Sequence, residues 1–288
     1  MELIWLEDLI ALAEHGSFSR AAERRHVTQP AFSRRIRALE AWMGVPLFDR
    51  TPQGAVATEA GQHVAAAAKD MTRRLHQIRD EAREIAGQAA RTLKFAATHS
   101  LSFTFFPRWI RKMERGAPLE AIRLQSDSMA ECERMLQDGD AHFLLCHHHP
   151  DVVPTLPSTH FDTKVIGEDS LLALRASDWQ VPQRNIPYLG YTHASGLGRI
   201  LDARLAAIQP PHLERTFSSH LAAVLMSMAL ESKGVAWLPA SLADQEMNEG
   251  RLCRAFESAY DVPLQILLVR PRSALSPFAE GFWARLSE

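Results

Sequence analysis

The chain has 288 residues, of which 46% are hydrophobic and 23% charged, and its formal net charge at pH 7 is −2. These values are typical of a globular protein with two or three folded units, and they exclude an intrinsically disordered chain. The sequence contains neither an apolar run long enough to span a membrane nor the basic start and apolar stretch of a signal peptide. Three scattered cysteines are too few for a disulfide framework, so we expect a protein of the reducing cytoplasm.

Three short helices are predicted at the N-terminus. Apolar residues recur at helical spacing from Leu3 to Ala13, and a second helix is predicted over 18–25. A third begins at Gln29-Pro30, where a proline is tolerated in the first turn, and it ends at Gly44. The N-cap positions of the second and third helices carry Ser17 and Thr28.

The third predicted helix has two different faces. Its apolar stripe consists of Phe32, Ile36, Leu39 and Met43. Its opposite face carries amide, hydroxyl and guanidinium groups, which read base edges and bind phosphates in DNA, from Gln29, Ser33, Arg34 and Arg37. The segment 17–50 holds seven arginines against three acidic residues, an excess of four positive charges. This pattern indicates a DNA-recognition helix, although a solvated helical bundle with exposed arginines would show it as well.

A strand, a turn and a second strand are predicted after the third helix. The first strand covers Val45 to Arg50, the turn is Thr51-Pro52-Gln53-Gly54, and the second strand covers Ala55 to Ala57. This hairpin completes a winged helix-turn-helix.

Four segments closely resemble the signature of LysR-type transcriptional regulators: Ser17 to Ala22, Val27 to Glu40, Gly44 to Arg50, and Thr58 to Gly61. The resemblance covers about the first sixty residues. It implies that the DNA-facing residues include Gln29, Pro30, Ser33 and Arg34, and that Arg50 on the wing contacts the DNA backbone. The full DNA-binding set that we expect is Ser17, Thr28, Gln29, Pro30, Ser33, Arg34, Arg35, Arg37 and Arg50.

Two positions depart from the family pattern. Arg35 stands where the relatives commonly carry Gln, and the wing tip Pro52-Gln53-Gly54 lacks the basic residues often found there. These departures affect the operator sequence and the phosphate contacts that we expect of the wing.

A long helix is predicted from Gln62 to Ala90. Apolar residues alternate there in steps of four and three, as in a coiled-coil seam, and they are Val64, Ala68, Met71, Leu75, Ile78, Ala82, Ile85 and Ala89. A helix packed on its own chain would show a wider stripe. We therefore expect two chains to pair through Val64, Met71, Leu75, Ile78 and Ile85, as a homodimer or homotetramer. Such pairing would supply the second recognition helix that a palindromic operator requires.

Beyond residue 91 strands and helices alternate, which predicts an α/β fold. The predicted strands are Thr92 to Ala97, His142 to His147, Val165 to Leu174, Gly234 to Pro239 and Pro263 to Val269. The predicted helices are Phe103 to Met113, Met129 to Gln137, Leu197 to Ile208 and His220 to Lys233. The family resemblance implies a two-lobed fold like that of periplasmic binding proteins, with an effector cleft between the lobes. We expect a DNA-binding domain at 1–60, a linker helix at 61–91 and an effector domain at 92–288. Lobe I would cover about 92–161 and 264–288, and lobe II about 162–263.

Candidate effector-binding residues follow the strands of this region, where helix N-termini present free N–H groups. They are Thr98, His99, Ser100, Leu101, Ser102, Ser126, Ser128, Met129, His147, Thr192, Ser195, Gly196, Leu197 and Ser218. Their hydroxyl and amide groups could hold the carboxylate of a small organic or aromatic acid. Each serine could equally act only as a helix cap.

Two other chemistries are considered at the same strands. The run His147-His148-His149 lies at a strand end, where adjacent side chains point to opposite faces, so hydrogen bonding by His147 is expected rather than a metal site. Cys132 and Cys146 could form a redox-sensing thiol pair, but the apolar strand around Cys146 favours a structural role.

A narrower resemblance involves the hypochlorite-responsive branch of the family. It depends on Gln29 to Glu40, Ala96 to Ser102 and Gly234 to Pro239. Methionine oxidation, which makes an apolar side chain polar, would then be the signal, with Met129, Met135, Met226 and Met228 as candidates. Core packing is the competing interpretation of all four.

Other functional classes find little support. The sequence lacks a phosphate loop, a Gly-x-Ser-x-Gly elbow, a His-Glu-x-x-His motif and a dinucleotide fingerprint, so neither an enzyme nor a cofactor is expected. A solute-binding transport component is disfavoured by the DNA-binding head. We expect a regulator that binds promoter DNA, possesses an effector cleft and has RNA polymerase as a further partner.

Overall fold

The computed structural model describes residues 2–51, 54–86, 92–114, 121–208 and 212–286. The chain divides into two compact units. The N-terminal unit is Met1–Gln88 with Gln137–Gly139, and the C-terminal unit is Ala89–Leu136 with Asp140–Glu288. Of the helices in the described ranges, none is both long and apolar enough to cross a membrane.

The N-terminal unit consists of four helices and a hairpin. They are α1 (Leu3–His15), α2 (Phe18–Arg24), α3 (Gln29–Met43), β1 (Phe48–Thr51), β2 (Gly54–Ala57) and α4 (Glu59–Ile85). Gly16 and Gly44 end α1 and α3 in the left-handed backbone conformation, with φ of 59° and 76°. The predicted stripe of α3 is confirmed, because Phe32, Ile36 and Leu39 are fully buried.

Three local details differ from the sequence prediction. Ser17 and Thr28 occupy N-cap positions, but within the described residues neither side chain makes a cap hydrogen bond. The strand predicted from Val45 starts only at Phe48, because the backbone N–H groups of Leu47 and Phe48 donate to Oε1 of Glu40 on α3 at 2.9 and 3.2 Å. Pro52 and Gln53 of the predicted wing tip lie outside the described residues.

The C-terminal unit is an α/β structure, as predicted. Its first half contains β3 (Thr92–Thr98), α5 (His99–Thr104), α6 (Phe106–Met113), β4 (Ala121–Asp127), α7 (Met129–Asp138), β5 (Phe143–His148) and β6 (Phe161–Ala176). Its second half contains β7 (Ile186–Tyr191), α8 (Gly196–Ile208), β8 (Leu213–Ser219), α9 (Ala222–Leu230), β9 (Ala236–Pro239), α10 (Ala240–Asn248), β10 (Leu252–Arg254), β11 (Val262–Pro271) and α11 (Pro277–Arg285). The helix predicted from Phe103 to Met113 is two helices that meet at Phe105, and sequence patterning misses α10 and α11.

Three clusters of buried apolar side chains form the cores of the C-terminal unit, two in lobe I and one in lobe II. Lobe I is built on the parallel strands β4, β3 and β5, and its core includes Phe95, Phe143 and Phe282, whose ring centroids lie 5.3–5.6 Å apart. The core of lobe II surrounds the fully buried Trp237 and Tyr191. The antiparallel strands β6 and β11 pair from Phe161 to Leu171 and contribute side chains to the cores of both lobes. These two strands connect the lobes.

Candidate nucleic-acid interface and effector cavity

The outer face of α3 carries most of the side chains predicted to contact DNA. Gln29, Pro30, Arg34 and Arg37 are exposed, and Thr28 is exposed just before the helix. Ser17 is half-buried at the start of α2. The exposed guanidinium and amide groups therefore lie together on one helical surface, as base and phosphate recognition requires.

Ser33 does not point outward as predicted. It is only 5% exposed, and its Oγ accepts a hydrogen bond from Nη2 of Arg50 at 3.3 Å. The guanidinium of Arg50 also lies 4.7 Å from the ring centroid of Phe18 on α2. Arg50 thus connects the hairpin to α2 and α3, and Ser33 supports that arrangement from inside the unit.

Arg35 faces α1 rather than the outer surface. Its Nη1 lies 3.4 Å from Oδ2 of Asp8, a fully buried carboxylate. Oδ1 of Asp8 accepts from Nε of Arg25 at 2.9 Å, and Arg25 also pairs with Glu7. The residue that departs from the family pattern is therefore part of an ion-pair cluster that joins α1, α2 and α3. A contact of Arg35 with DNA stays a prediction.

The predicted pairing seam on α4 divides into two parts. Val64 is half-buried against the core of its own unit and Ala68 is buried in that core, and a contact of Val64 with a second chain stays a prediction. Farther along, Met71, Leu75 and Ile78 are 55%, 46% and 47% exposed. The side chain of Ile85 lies outside the described residues. Met71, Leu75 and Ile78 therefore form an exposed apolar row on α4.

Two cavities in the C-terminal unit share part of their lining. The larger has a volume of about 470 Å³ and the smaller about 30 Å³, and both are lined by Met129, His147 and Gly196. Nine of the predicted effector residues line the smaller cavity: Thr98, His99, Ser100, Ser128, Met129, His147, Ser195, Gly196 and Leu197. They come from β3, α5, α7, β5 and α8, so the fold brings both lobes to one site.

The other five predicted effector residues line neither cavity in the described part of the chain. Leu101 is fully buried in the core of lobe I. Ser102 and Ser126 bond to each other at 3.0 Å beside His99. Thr192 precedes α8, and Ser218 is an exposed residue of β8 rather than the start of a helix. Strand alternation and helix rotation, which spacing alone does not reveal, turn these side chains away.

Eight of the twelve residues that line the smaller cavity have polar side chains. Ser128 and Ser195 lie just before α7 and α8, and the Oγ of Ser195 accepts from the N–H of Gly198 at 3.3 Å, so capping and cavity lining coexist in one residue. Burial lowers the pKa of His99, and the nearby His220 lowers it further while Asp127 opposes the shift. Thr98 Oγ1 and His147 Nδ1 are buried atoms without a hydrogen-bond partner among the described residues. Such atoms are favourable positions for a polar ligand.

The larger cavity has an apolar wall and two ion pairs. Its apolar residues include Leu144, Val152, Leu156, Phe161 and Ile200. Arg199 pairs with Glu133 at 3.1 Å, and Arg272 pairs with Asp162 at 3.0 Å. Sequence reasoning missed these charged residues, because each pair joins segments that are distant in the chain and carry no motif.

The alternative chemistries find little support in the geometry. Burial raises the pKa of Cys132 and of Cys146 to about 12, so both thiols stay protonated at neutral pH. Nδ1 of His149 accepts from the backbone N–H of Asp151 at 3.1 Å, while His147 bonds to a carboxylate. Within the described ranges no group of three or more His, Cys, Asp or Glu side chains is placed to hold a metal ion.

The candidate methionines have different environments. Met135 is buried in a core, and Met226 and Met228 are half-buried against lobe II. Met129 is half-buried and lines both cavities.

A winged helix-turn-helix carried on the same chain as a two-lobed, cavity-bearing α/β unit defines a ligand-responsive DNA-binding regulator. Residues 3–62 match the family model "Bacterial regulatory helix-turn-helix protein, lysR family", and residues 86–288 match "LysR substrate binding domain". The chain belongs to the LysR family of transcriptional regulators. Members of this family are regulators rather than enzymes.

Three relatives illustrate the similarity. The regulator YjiE of Escherichia coli (strain K12) is 31% identical over 294 residues, which cover 100% of this chain and 95% of YjiE. The full-length structure of HypT from Salmonella typhimurium, a hypochlorite-specific LysR-type regulator, is 29% identical with a TM-score of 0.59, covering 99% of this chain and 97% of HypT. The DNA complex of DarR from Vibrio fischeri is 27% identical with a TM-score of 0.57, covering 99% of this chain and 98% of DarR.

Proposed function

We propose that this regulator senses a small organic acid in the two neighbouring cavities of its C-terminal unit. The main support is that two neighbouring cavities share Met129, His147 and Gly196 as lining residues. Most side chains around the smaller cavity are polar, and the larger cavity has an apolar wall. A carboxylate suits the hydroxyl groups and helix N-termini of the small cavity. The volume of about 470 Å³ lies within the range of ordinary ligand pockets and accommodates an apolar or aromatic body.

The same proposal includes how the signal reaches DNA. Two chains pair through the apolar row that begins at Met71, and two α3 helices then bind successive half-sites of a near-palindromic promoter sequence. Because residues of both lobes line the small cavity, a ligand there favours one arrangement of the lobes. Assembly into tetramers and contact with RNA polymerase are further parts of this proposal.

Thermal melting of the full-length protein against small aliphatic and aromatic acids tests the cavity assignment. A ligand that binds only the native state raises the melting temperature saturably. Val152→Trp, which adds bulk at the wall of the larger cavity, should abolish the rise, whereas Val224→Trp on the exposed face of α9 should retain it. A rise that survives Val152→Trp unchanged would place the ligand elsewhere.

A second candidate signal is an oxidant such as hypochlorite. The observation in its favour is that Met129 lines both cavities, in a chain similar to HypT. Three results together would make the oxidant the signal in place of the acid. Only hypochlorite would change the melting curve, Met129→Leu would block that change, and a methionine sulfoxide reductase would reverse it.

Selection from random-sequence DNA tests the recognition helix. We expect the wild-type protein to enrich a sequence with two half-sites, and Arg34→Ala to lose that enrichment because a base-reading guanidinium contributes about 1–3 kcal/mol of discrimination. Arg184→Ala, an exposed arginine of the C-terminal unit, is the matched control. Equal enrichment by Arg34→Ala and wild type would contradict the role of α3.

A further inference from the structure

His147 is a lining residue that the two cavities share. It lies near the end of β5 and lines both cavities, yet its side chain is only 2% exposed. Nε2 lies 3.2 Å from Oδ2 of Asp169 on β6. Nδ1 is buried and, among the described residues, has no hydrogen-bond partner. An imidazole with one nitrogen engaged and the other unsatisfied in a cavity is ready for a ligand.

Asp169 determines which nitrogen of His147 carries a proton. Its Oδ1 accepts from the backbone N–H groups of Ser170 at 2.8 Å and Ser241 at 3.1 Å, and its Oδ2 also accepts from the Oγ of Ser241 at 2.6 Å. Burial alone would raise the pKa of Asp169, but these hydrogen bonds and the interaction with His147 outweigh burial and lower it. An ionised carboxylate only accepts hydrogen bonds, so Nε2 is the donor. Nδ1 then carries a proton only when the ring is the imidazolium ion.

We propose that His147 is the residue that selects an anionic effector, and that it takes up one proton as the anion binds, donating Nδ1–H to it. This inference rests on the proposed acid-sensing function and adds the residue and the proton that recognise the acid. The small cavity, of about 30 Å³, has room for one small group such as a carboxylate.

The charges around His147 explain why a proton is needed. The ionised side chains that line the two cavities, among the described residues, are Glu133, Asp127, Asp162, Arg199 and Arg272. Three carboxylates and two guanidinium groups leave one negative charge, so an anion meets net repulsion while the histidines are neutral.

The other histidines of the cavities are less suited to supply the proton. Burial lowers the pKa of His99. Burial and the neighbouring His149 lower the pKa of His148, so both rings favour the neutral form. His220 is an exposed residue in a turn before α9. Cys146 remains protonated because burial raises its pKa to about 12. Among these histidines, His147 has its Nε2 bonded to the Asp169 carboxylate, which leaves Nδ1 to bind a proton and donate it to the anion.

The sign of the pH dependence follows from linkage. A bound anion stabilises the imidazolium form, so it raises the pKa of His147 in the complex above that in the free protein. The affinity for the anion therefore increases as the pH falls from the complex pKa to the free pKa, by up to about tenfold per pH unit. A neutral ligand that donates a hydrogen bond to unprotonated Nδ1 would show the opposite sign.

The test uses formate and chloride as probes on the full-length protein labelled with ¹⁵N in its histidine rings. Titrations in several hundred millimolar probe are compared with titrations in gluconate, an anion too large for the small cavity. We expect the Nε2–H tautomer of His147 at high pH, and a rise in its pKa with formate or chloride. His147→Gln identifies the resonance and should remove the pH dependence of formate binding, while His193→Gln, an exposed histidine that lines neither cavity, should change nothing.

The outcomes separate this inference from the proposed function. If formate raises the melting temperature equally at about pH 6 and about pH 8 and the His147 titration does not move, the acid site stands and the proton-coupled role of His147 is overturned. An Nδ1–H tautomer at high pH overturns that role as well. If neither probe alters the His147 titration or the melting temperature, both this inference and the acid-binding proposal fail.

Discussion

Replacing Asp8 by asparagine should weaken the N-terminal unit strongly. Asp8 is fully buried, and its two oxygens accept from Arg25 at 2.9 Å and Arg35 at 3.4 Å, so a single carboxylate holds α1 against α2 and α3. The asparagine side chain would have nearly the same shape but no charge. Its amide would present N–H groups to a guanidinium, which can only donate.

The magnitude follows from the burial of the three partners. Removing one member of a buried ion pair costs about 3–5 kcal/mol when the remaining charge is left without solvent. Here the side chains of Arg25 and Arg35 are 27% and 30% exposed, and the freed guanidinium groups can reach water. We therefore expect a loss of about 2–3 kcal/mol, below the fully buried range.

Hydrogen exchange is the appropriate assay, because a chain with two units need not unfold in one step. Amides of α1–α3 should lose about 30- to 150-fold of their protection in Asp8→Asn, while amides of β3 and β5 serve as an internal reference. Asp49→Asn changes an exposed aspartate of β1 and is the matched control. Equal protection of α1–α3 in the two variants would refute the reasoning.

Three further predictions follow from the described contacts. Leu75→Asp should reduce the oligomer size measured by sedimentation, because it puts a charge into the apolar row of α4. Ala66→Asp, at an exposed position away from that row, should leave the oligomer size unchanged. An unchanged sedimentation profile for Leu75→Asp would contradict pairing through the row. A thiol reagent near neutral pH should label Cys253 in the folded protein and leave Cys132 and Cys146 unmodified. The last two thiols have a pKa of about 12 and form thiolate only at far higher pH. Labelling of all three cysteines, measured by intact mass, would disprove this. Gly61→Ala would place a Cβ 1.9 Å from the carbonyl oxygen of Leu47 and should destabilise the N-terminal unit by at least about 2 kcal/mol. Gly281→Ala, with open space around its Cβ, should be neutral or stabilising. Similar melting temperatures for the two variants would show that the start of α4 can move freely.

The elements of the N-terminal unit were predictable because local signals agree there. The 3.6-residue spacing of α1 and α3, the proline in the first turn of α3 and the left-handed glycines at both helix ends are all readable in the chain. Periodicity did not distinguish Ser33 and Arg35 from Arg34. Ser33 accepts a hydrogen bond from Arg50, and Arg35 donates one to Asp8. Arg50 is distant in sequence from Ser33, and Asp8 is distant from Arg35.

The effector site shows the same limit in another form. Thr98, Ser128 and Ser195, which were predicted from strand ends and helix starts, line the smaller cavity, because their position depends on local chain direction. Leu101, one turn into α5, belongs to the core of lobe I instead. The larger cavity was not foreseeable, since its ion pairs join residues such as Glu133 and Arg199 that carry no common motif.

The sequence by itself determined the family, the helix-turn-helix with its exposed arginines, and the α/β character of the C-terminal unit, because these depend on periodicity, caps and a compact motif. Only the tertiary structure decided which polar side chains are available for binding. The Asp8 cluster, the lining that the two cavities share and the His147–Asp169–Ser241 hydrogen bonds each unite residues from separate elements. Burial and hydrogen-bond partners arise only when those elements pack, and no local pattern of residues encodes them.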